Sequence, residues 1–214
     1  MFKLDTNLAK QADNKSAFIE TAGKYIGEFI RAEWMVKEST GSKGIGFTFK
    51  TNDGQEAQFY VNTSYFKDGQ DNANNGGMQT INAIMTCLKL RGTGDPVAIK
   101  VEKYNKDTKS KDEVAVQGFP ELMKKQIGLL LQMEIQKDAQ DDRGRPTIYA
   151  PFSADTEQTA SEVLNKQQPE KLARMVQAVM DKPIIDRRPA GSVYAPQQSS
   201  GQSMPDFNDD IPWD

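Results

Sequence analysis

Several residue types on which enzymes depend are missing from this sequence. Its 214 residues include no histidine and a single cysteine, Cys87. The absence of histidine excludes the common zinc sites and every catalytic triad or acid–base pair built on an imidazole. One cysteine excludes an internal disulfide framework and favours a reducing, cytoplasmic setting. Since only carboxylate and magnesium chemistry is left to an enzyme, we expect a binding protein without a metal or other cofactor.

Long apolar runs are missing as well. No stretch approaches the roughly 18 apolar residues of a membrane-spanning helix, and the N-terminus lacks the charged-then-apolar pattern of a signal peptide. Charged residues make up 27% of the chain, an ordinary fraction for a soluble protein. This length and composition fit one domain with a tail, or two small domains.

The net charge of −3 is unevenly distributed along the chain. Residues 24–111 contain 13 basic and 10 acidic side chains, whereas residues 151–214 contain 6 basic and 10 acidic ones. A mildly basic body with an acidic end suits an anionic ligand that the end of the chain can mimic.

Alternation of apolar and polar residues predicts a chain built mainly of strands. The predicted strands cover residues 24–37, 45–50, 55–63, 96–104, 113–119, 128–135 and 147–152. Helical spacing predicts a helix over residues 78–90 that ends at Gly92, and two more over residues 155–165 and 169 to about 180. Residues 67–77 are polar, which predicts a loop.

This order of elements predicts the fold class. Three sequential strands, a helix and further strands are expected of an OB-type Greek-key barrel, although other α+β sandwiches share the order. We predict a mainly β, OB-like domain over residues 1–153 and a helical extension over residues 154–182. A flexible linker rich in Pro, Ser, Gln and Gly is predicted over residues 183–205, followed by an acidic partner-binding tip over residues 206–214.

Aromatic side chains and lysines are interleaved along the predicted strands between residues 34 and 67. Rings on strands stack on nucleic-acid bases while lysines neutralise phosphates, and each stacked base contributes roughly 1–3 kcal/mol. Alternatively these rings belong to the core, which is the better interpretation for Phe47 and Phe49. The candidates for binding single-stranded DNA are Trp34, Lys37, Lys43, Lys50, Tyr60, Tyr65, Phe66 and Lys67.

A lysine-rich turn near residues 100–111 is a second candidate. Its five lysines within 12 residues suit an arm that clamps a phosphate backbone, although a solvated hairpin tip has the same composition. The candidates here are Lys100, Lys103, Tyr104 and Lys106.

The pair Asp141-Asp142, beside Arg143 and Arg145, raises a metal-dependent nuclease as an alternative. Such an enzyme needs acidic residues that converge from several strands. Because this pair lies in an evident loop beside Gly144, a solvated loop is the better interpretation.

The chain ends in a short acidic and apolar peptide. Carboxylates alternate with apolar side chains, and prolines keep the backbone extended. Such a peptide cannot form a core, but its apolar groups can anchor a partner that has a basic rim. The candidate partner-binding residues are Asp206, Phe207, Asp209, Asp210, Ile211, Pro212, Trp213 and Asp214.

This ending resembles the acidic tip of bacterial-type single-stranded DNA-binding proteins, which usually finishes with an acidic run followed by Ile-Pro-Phe. The matching residues are 206–212, and the tether before them also fits that family. The body is similar to the OB-fold single-stranded DNA-binding proteins of tailed bacteriophages, in residues 25–34, the glycine-rich hairpin that follows, and residues 118–122.

The resemblance implies sequence-independent coating of single-stranded DNA during phage replication, recombination and repair in the cytoplasm of a bacterial host. The tip would recruit a polymerase, helicase, primase or nuclease and compete with DNA for the basic groove. Trp213 replaces the usual terminal Phe and Asp214 extends beyond it, so a dedicated phage partner is as plausible as a host protein. The alternative is an annealing or scaffolding accessory protein whose tail is its main interaction site.

Overall fold

A long central strand connects the parts of this fold. The computed structural model describes residues 17–105 and 108–189, and these form nine strands, three α-helices and one 3-10 turn. The strands are β1 (Gly23–Val36), β2 (Lys43–Thr51), β3 (Glu56–Lys67), β4 (Gln70–Ala73), β5 (Val97–Asn105), β6 (Ser110–Gly118), β7 (Gln126–Ile135), β8 (Arg145–Phe152) and β9 (Ile184–Asp186). The helices are α1 (Asn75–Cys87), α2 (Ala160–Asn165) and α3 (Lys171–Asp181), and the 3-10 turn is Pro120–Leu122.

Strand β1 is paired along both of its edges. One edge carries β2, followed by β3 and then β4, all antiparallel. On the other edge the first half of β1 pairs with β7, while Glu33 near its end meets Gly118 of the β5–β6 hairpin. Strand β7 also pairs with β8 and, in parallel, with β9. The predicted mainly β fold is confirmed.

A register shift in β1 decides which side chains enter the core. Unbroken alternation would place Phe29 and Arg31 on one face, but the β1–β2 register slips between them. Such an irregularity moves the following residues to the other face. Phe29 precedes the slip and packs in the core, with its ring 4.5 Å from that of Phe47 and 5.8 Å from that of Phe49, whereas Arg31 lies on the opposite face. Phe47 and Phe49 are fully buried, in agreement with their interpretation as core residues.

Helix α1 begins and ends earlier than predicted. It starts at Asn75 because the side chain of Asn74 accepts a hydrogen bond from the amide of Gly77 at 3.3 Å, an N-cap that the apolar spacing alone did not reveal. It ends at Cys87, and Lys89 adopts a left-handed backbone with φ of 57° in place of a glycine cap at Gly92. The predicted loop before the helix contains β4, which pairs with the end of β3.

The C-terminal helices pack on the sheet. A second hydrophobic cluster joins Leu130 of β7 and Phe152 of β8 to Leu172 and Val179 of α3. The chain then continues into β9, so residues 184–186 belong to the sheet and not to the linker that composition predicted. In the parts of the chain described above, no helix is long and apolar enough to cross a membrane.

Candidate nucleic-acid interface

The first three strands present one face to the core and a second, which we call the outer face, away from it. The register aligns the outer-face residues in rows across the strands. They are Arg31, Glu33 and Met35 of β1, Gly44, Gly46, Thr48 and Lys50 of β2, and Glu56, Gln58, Tyr60 and Asn62 of β3. This face combines one aromatic ring with charges of both signs.

Two glycines of β2 let neighbouring side chains lie directly on the sheet. A Cβ at Gly44 would be 2.5 Å from the Tyr60 ring, and one at Gly46 would be 2.6 Å from the Met35 sulfur. Any larger residue would push these side chains away, so the glycines position them. Tyr60 remains partly exposed, and its partial burial raises the pKa of its hydroxyl. The ring forms a platform on an otherwise flat strand face.

The predicted aromatic pair near the end of β3 is divided between two faces. The β2–β3 register shifts between Lys43 and Gly44, so Phe66 lies on the side of Lys43 and close to Gly41 in the β1–β2 turn. Tyr65 lies on the side of Tyr60, beyond the last row of the outer face. Both side chains are exposed, Tyr65 to 42% and Phe66 to 53%. Lys67 follows them and is also exposed.

Three other predicted residues border this region in different ways. Lys43 at the start of β2 forms an ion pair with Asp71 of β4. Lys37 lies in the β1–β2 turn, where its backbone carbonyl accepts a hydrogen bond from Gly41 at 2.7 Å. Trp34 lies on the core-facing side of β1, edge-to-face with Phe119 at a ring distance of 5.9 Å. Trp34 is therefore separated from the outer face.

The β5–β6 hairpin is attached to the outer face by lysine–glutamate pairs. Lys103 donates to Glu33 at 2.9 Å, and these two side chains are only 12% and 11% exposed. Lys111 lies 3.4 Å from Glu56, which is also 3.9 Å from Lys50 of β2. The sequence alone does not identify Glu33 or Glu56 as functional residues. Each becomes important only because folding brings a lysine of the hairpin, Lys103 or Lys111, next to it.

The remaining hairpin candidates lie on its other side. Alternation along β5 places Lys100 and Tyr104 opposite Lys103. Lys100 pairs with Glu113 at 3.0 Å on that exposed side, and Tyr104 is 39% exposed. Lys106 and the predicted partner-binding residues 206–214 lie outside the described residues.

A cleft of about 600 Å³ opens between β3 and β8. Gln58, Tyr60 and Asn62 line one wall, and Thr147 and Ile148 line the other. Within the described part of the chain, the side-chain oxygens of Gln58 and Asn62 are buried without a hydrogen-bond partner. The cleft thus continues the outer face past the Tyr60 ring, and these two buried oxygens belong to residues of its wall.

The acidic pair considered for a nuclease is held by ion pairs and turn contacts. Arg188 contacts Asp142 at 2.8 Å and Asp186 at 2.6 Å. The Asp141 carboxylate accepts a hydrogen bond from the amide of Arg143 at 3.2 Å. Across residues 17–105 and 108–189, no group of three or more potential ligands is arranged to hold a metal ion.

No protein-family model matches the sequence, and no curated protein is significantly similar to it.

Proposed function

We propose that this chain is a non-enzymatic protein that binds single-stranded DNA without sequence preference. The observation that carries the proposal is the Tyr60 ring, which is supported by Gly44 and partly exposed on a strand face bordered by lysines. Aromatic rings on strands stack on any base because every base has a π-face, and nearby lysines attract the phosphates.

We further propose that the sheet is an OB-type barrel. In support, the strand order β3-β2-β1-β7-β8 matches that of a five-stranded barrel in which the outer two strands face each other, and β8 approaches β3. Helix α1 follows β4 and contacts both β3 and β8, where it covers the gap between them. OB folds bind oligonucleotides on the face of their second and third strands, which here carry the glycines and Tyr60.

Each side of the platform has a distinct role in this proposal. Tyr60 and Tyr65 stack on bases on one side of β3, and Lys43, Lys50 and Lys67 neutralise phosphates that follow β2 and β3. Phe66 lies on the other side of the strand, at the border of the site. Trp34 acts differently, since it lies on the core-facing side and supports β1 through Phe119. The DNA would be coated during phage replication, recombination or repair in the host cytoplasm, and residues 206–214 would recruit partner enzymes.

The test is a titration of the full-length protein with fluorescent oligothymidylate at low and moderate salt. We expect tight binding that weakens steeply as salt is added, because lysine–phosphate contacts release counterions. Tyr60→Leu should reduce the affinity about tenfold, in the range expected for one stacked base. Tyr60→Phe should retain most of the affinity.

The matched control is Tyr149→Leu, which removes a 46% exposed tyrosine from β8 outside the outer face. It should change the affinity less than about twofold, since an exposed ring away from the DNA contributes no stacking. Absence of binding at low salt, or an equal loss in both leucine variants, would refute the proposed site.

A further inference from the structure

The β5–β6 hairpin covers part of the outer face. Its two anchoring pairs, on Glu33 and Glu56, lie on either side of the row that contains Arg31 and Thr48. Although they are polar and point away from the core, Arg31 is only 3% exposed and Thr48 only 6%. A hairpin lying across this row explains their burial.

The inward side of the hairpin fits this arrangement. Val101 shares the side of Lys103 and is 4% exposed, although no core cluster includes it. The outer face therefore has a covered half around Arg31 and an open half around Met35 and Tyr60.

The contacts that anchor the hairpin are of a kind that a polyanion can replace. Lys103 and Lys111 are bound by carboxylates, and Glu33 also lies 3.7 Å from the guanidinium of Arg31. Phosphate oxygens accept the same charge-assisted hydrogen bonds, and a guanidinium binds phosphate with two parallel bonds. A phosphodiester backbone would thus satisfy the four cations, Arg31, Lys50, Lys103 and Lys111, that Glu33 and Glu56 satisfy in its absence.

We propose that the hairpin is a lid closed by these two glutamates, and that a single-stranded nucleic acid opens it by replacing them as partners of the lysines. Opening exposes Arg31 and extends the binding site from the open half of the outer face into the covered half. The glutamates thereby lower the affinity for nucleic acid. This inference rests on the function proposed above.

The first test compares two variants that each remove one negative charge. Glu56→Gln releases Lys50 and Lys111 from a glutamate of β3, and so removes a contact between the sheet and the hairpin. The control Glu113→Gln releases Lys100 from a glutamate of the hairpin itself, and so leaves the contacts between hairpin and sheet in place. We expect Glu56→Gln to bind oligothymidylate about fivefold more tightly, within the range of one ion pair, and Glu113→Gln to change affinity less than about twofold. Equal effects of the two variants, or weaker binding by Glu56→Gln, would overturn the proposal.

The second test follows the lid itself by hydrogen–deuterium exchange without DNA. Amides of β5 and β6 should exchange faster in Glu56→Gln than in Glu113→Gln, because an anchoring contact is lost only in the former. Glu33→Gln should have the larger effect on exchange, and thermal unfolding would show whether it also destabilises the fold.

These measurements separate the two proposals. If the wild-type protein does not bind DNA, the proposed function fails, and exchange alone then decides whether the glutamates close the hairpin. If DNA binds but hairpin exchange and affinity are unchanged in both glutamate variants, the lid is refuted and the proposed function stands.

Discussion

Replacing Glu162 with glutamine tests a buried carboxylate that joins two helices. Its Oε2 accepts hydrogen bonds from the amide and hydroxyl of Thr159, each at 2.8 Å, at the start of α2. Its Oε1 accepts from the amides of Glu170 and Lys171, at 2.8 and 2.7 Å, at the start of α3. The residue is 1% exposed. One side chain therefore caps both helices.

The loss of stability that we expect in Glu162→Gln follows from these four hydrogen bonds. Glutamine retains one acceptor oxygen but turns an NH₂ group toward two of the donors, so about two charge-assisted bonds are lost. At roughly 1.5 kcal/mol or more for each such bond, we expect a loss of about 3 kcal/mol in the free energy of unfolding. For a chain of this size that corresponds to a decrease of about 6–12 °C in Tm.

The same contacts determine a dependence on pH. Burial by itself would raise the pKa of Glu162, but the hydrogen bonds from Lys171, Thr159 and Glu170 outweigh it and lower the pKa to about 2. Because the folded pKa lies below the ordinary value near 4.5, the stabilisation is complete above that pH and is lost as pH falls toward 2. Glu162→Gln should be less sensitive to acid across this interval.

Urea and thermal unfolding at several pH values measure both effects. The control is Glu157→Gln, which removes an exposed ion pair with Lys24 and should cost less than about 1 kcal/mol. A loss in Glu162→Gln no greater than that of the control, or an unchanged acid dependence, would show that this carboxylate does not hold the two helices together.

Two further predictions concern the single thiol and the end of the chain. Burial raises the pKa of Cys87 to about 12. Its reaction with a thiol reagent at pH 8 should therefore be at least about 100-fold slower in the native protein than in denaturant. Rapid labelling of the native state would contradict this burial. Deletion of residues 206–214 should leave the affinity for DNA unchanged or raise it, and should abolish the capture of partner enzymes. The Trp213→Ala variant should weaken this capture as well. A reduced affinity for DNA in the deletion variant would count against a docking role for this segment.

Local sequence patterns by themselves determined most strands and helices of this protein, and residue types determined which kinds of chemistry it can perform. Alternation identified the strands that carry Phe47 and Phe49, because a strand buried on one face must repeat its apolar residues with a period of two. The absence of histidine is equally independent of folding. The predictions failed where local signals compete, as in β4 and β9, whose polar or proline-flanked residues become strands only through pairing with β3 and β7.

Only the tertiary structure decided which side chains share a face. The slip between Phe29 and Arg31 moves Trp34 to the core side and Glu33 to the outer face, and one residue of register is enough to exchange them. The contact of Lys103 with Glu33 joins residues that are 70 positions apart in the sequence. The residues around Lys103 and those around Glu33 therefore contain no local pattern that predicts this contact. Side-chain identity determined what these residues can bind, and strand register and the position of the hairpin decided which of them meet.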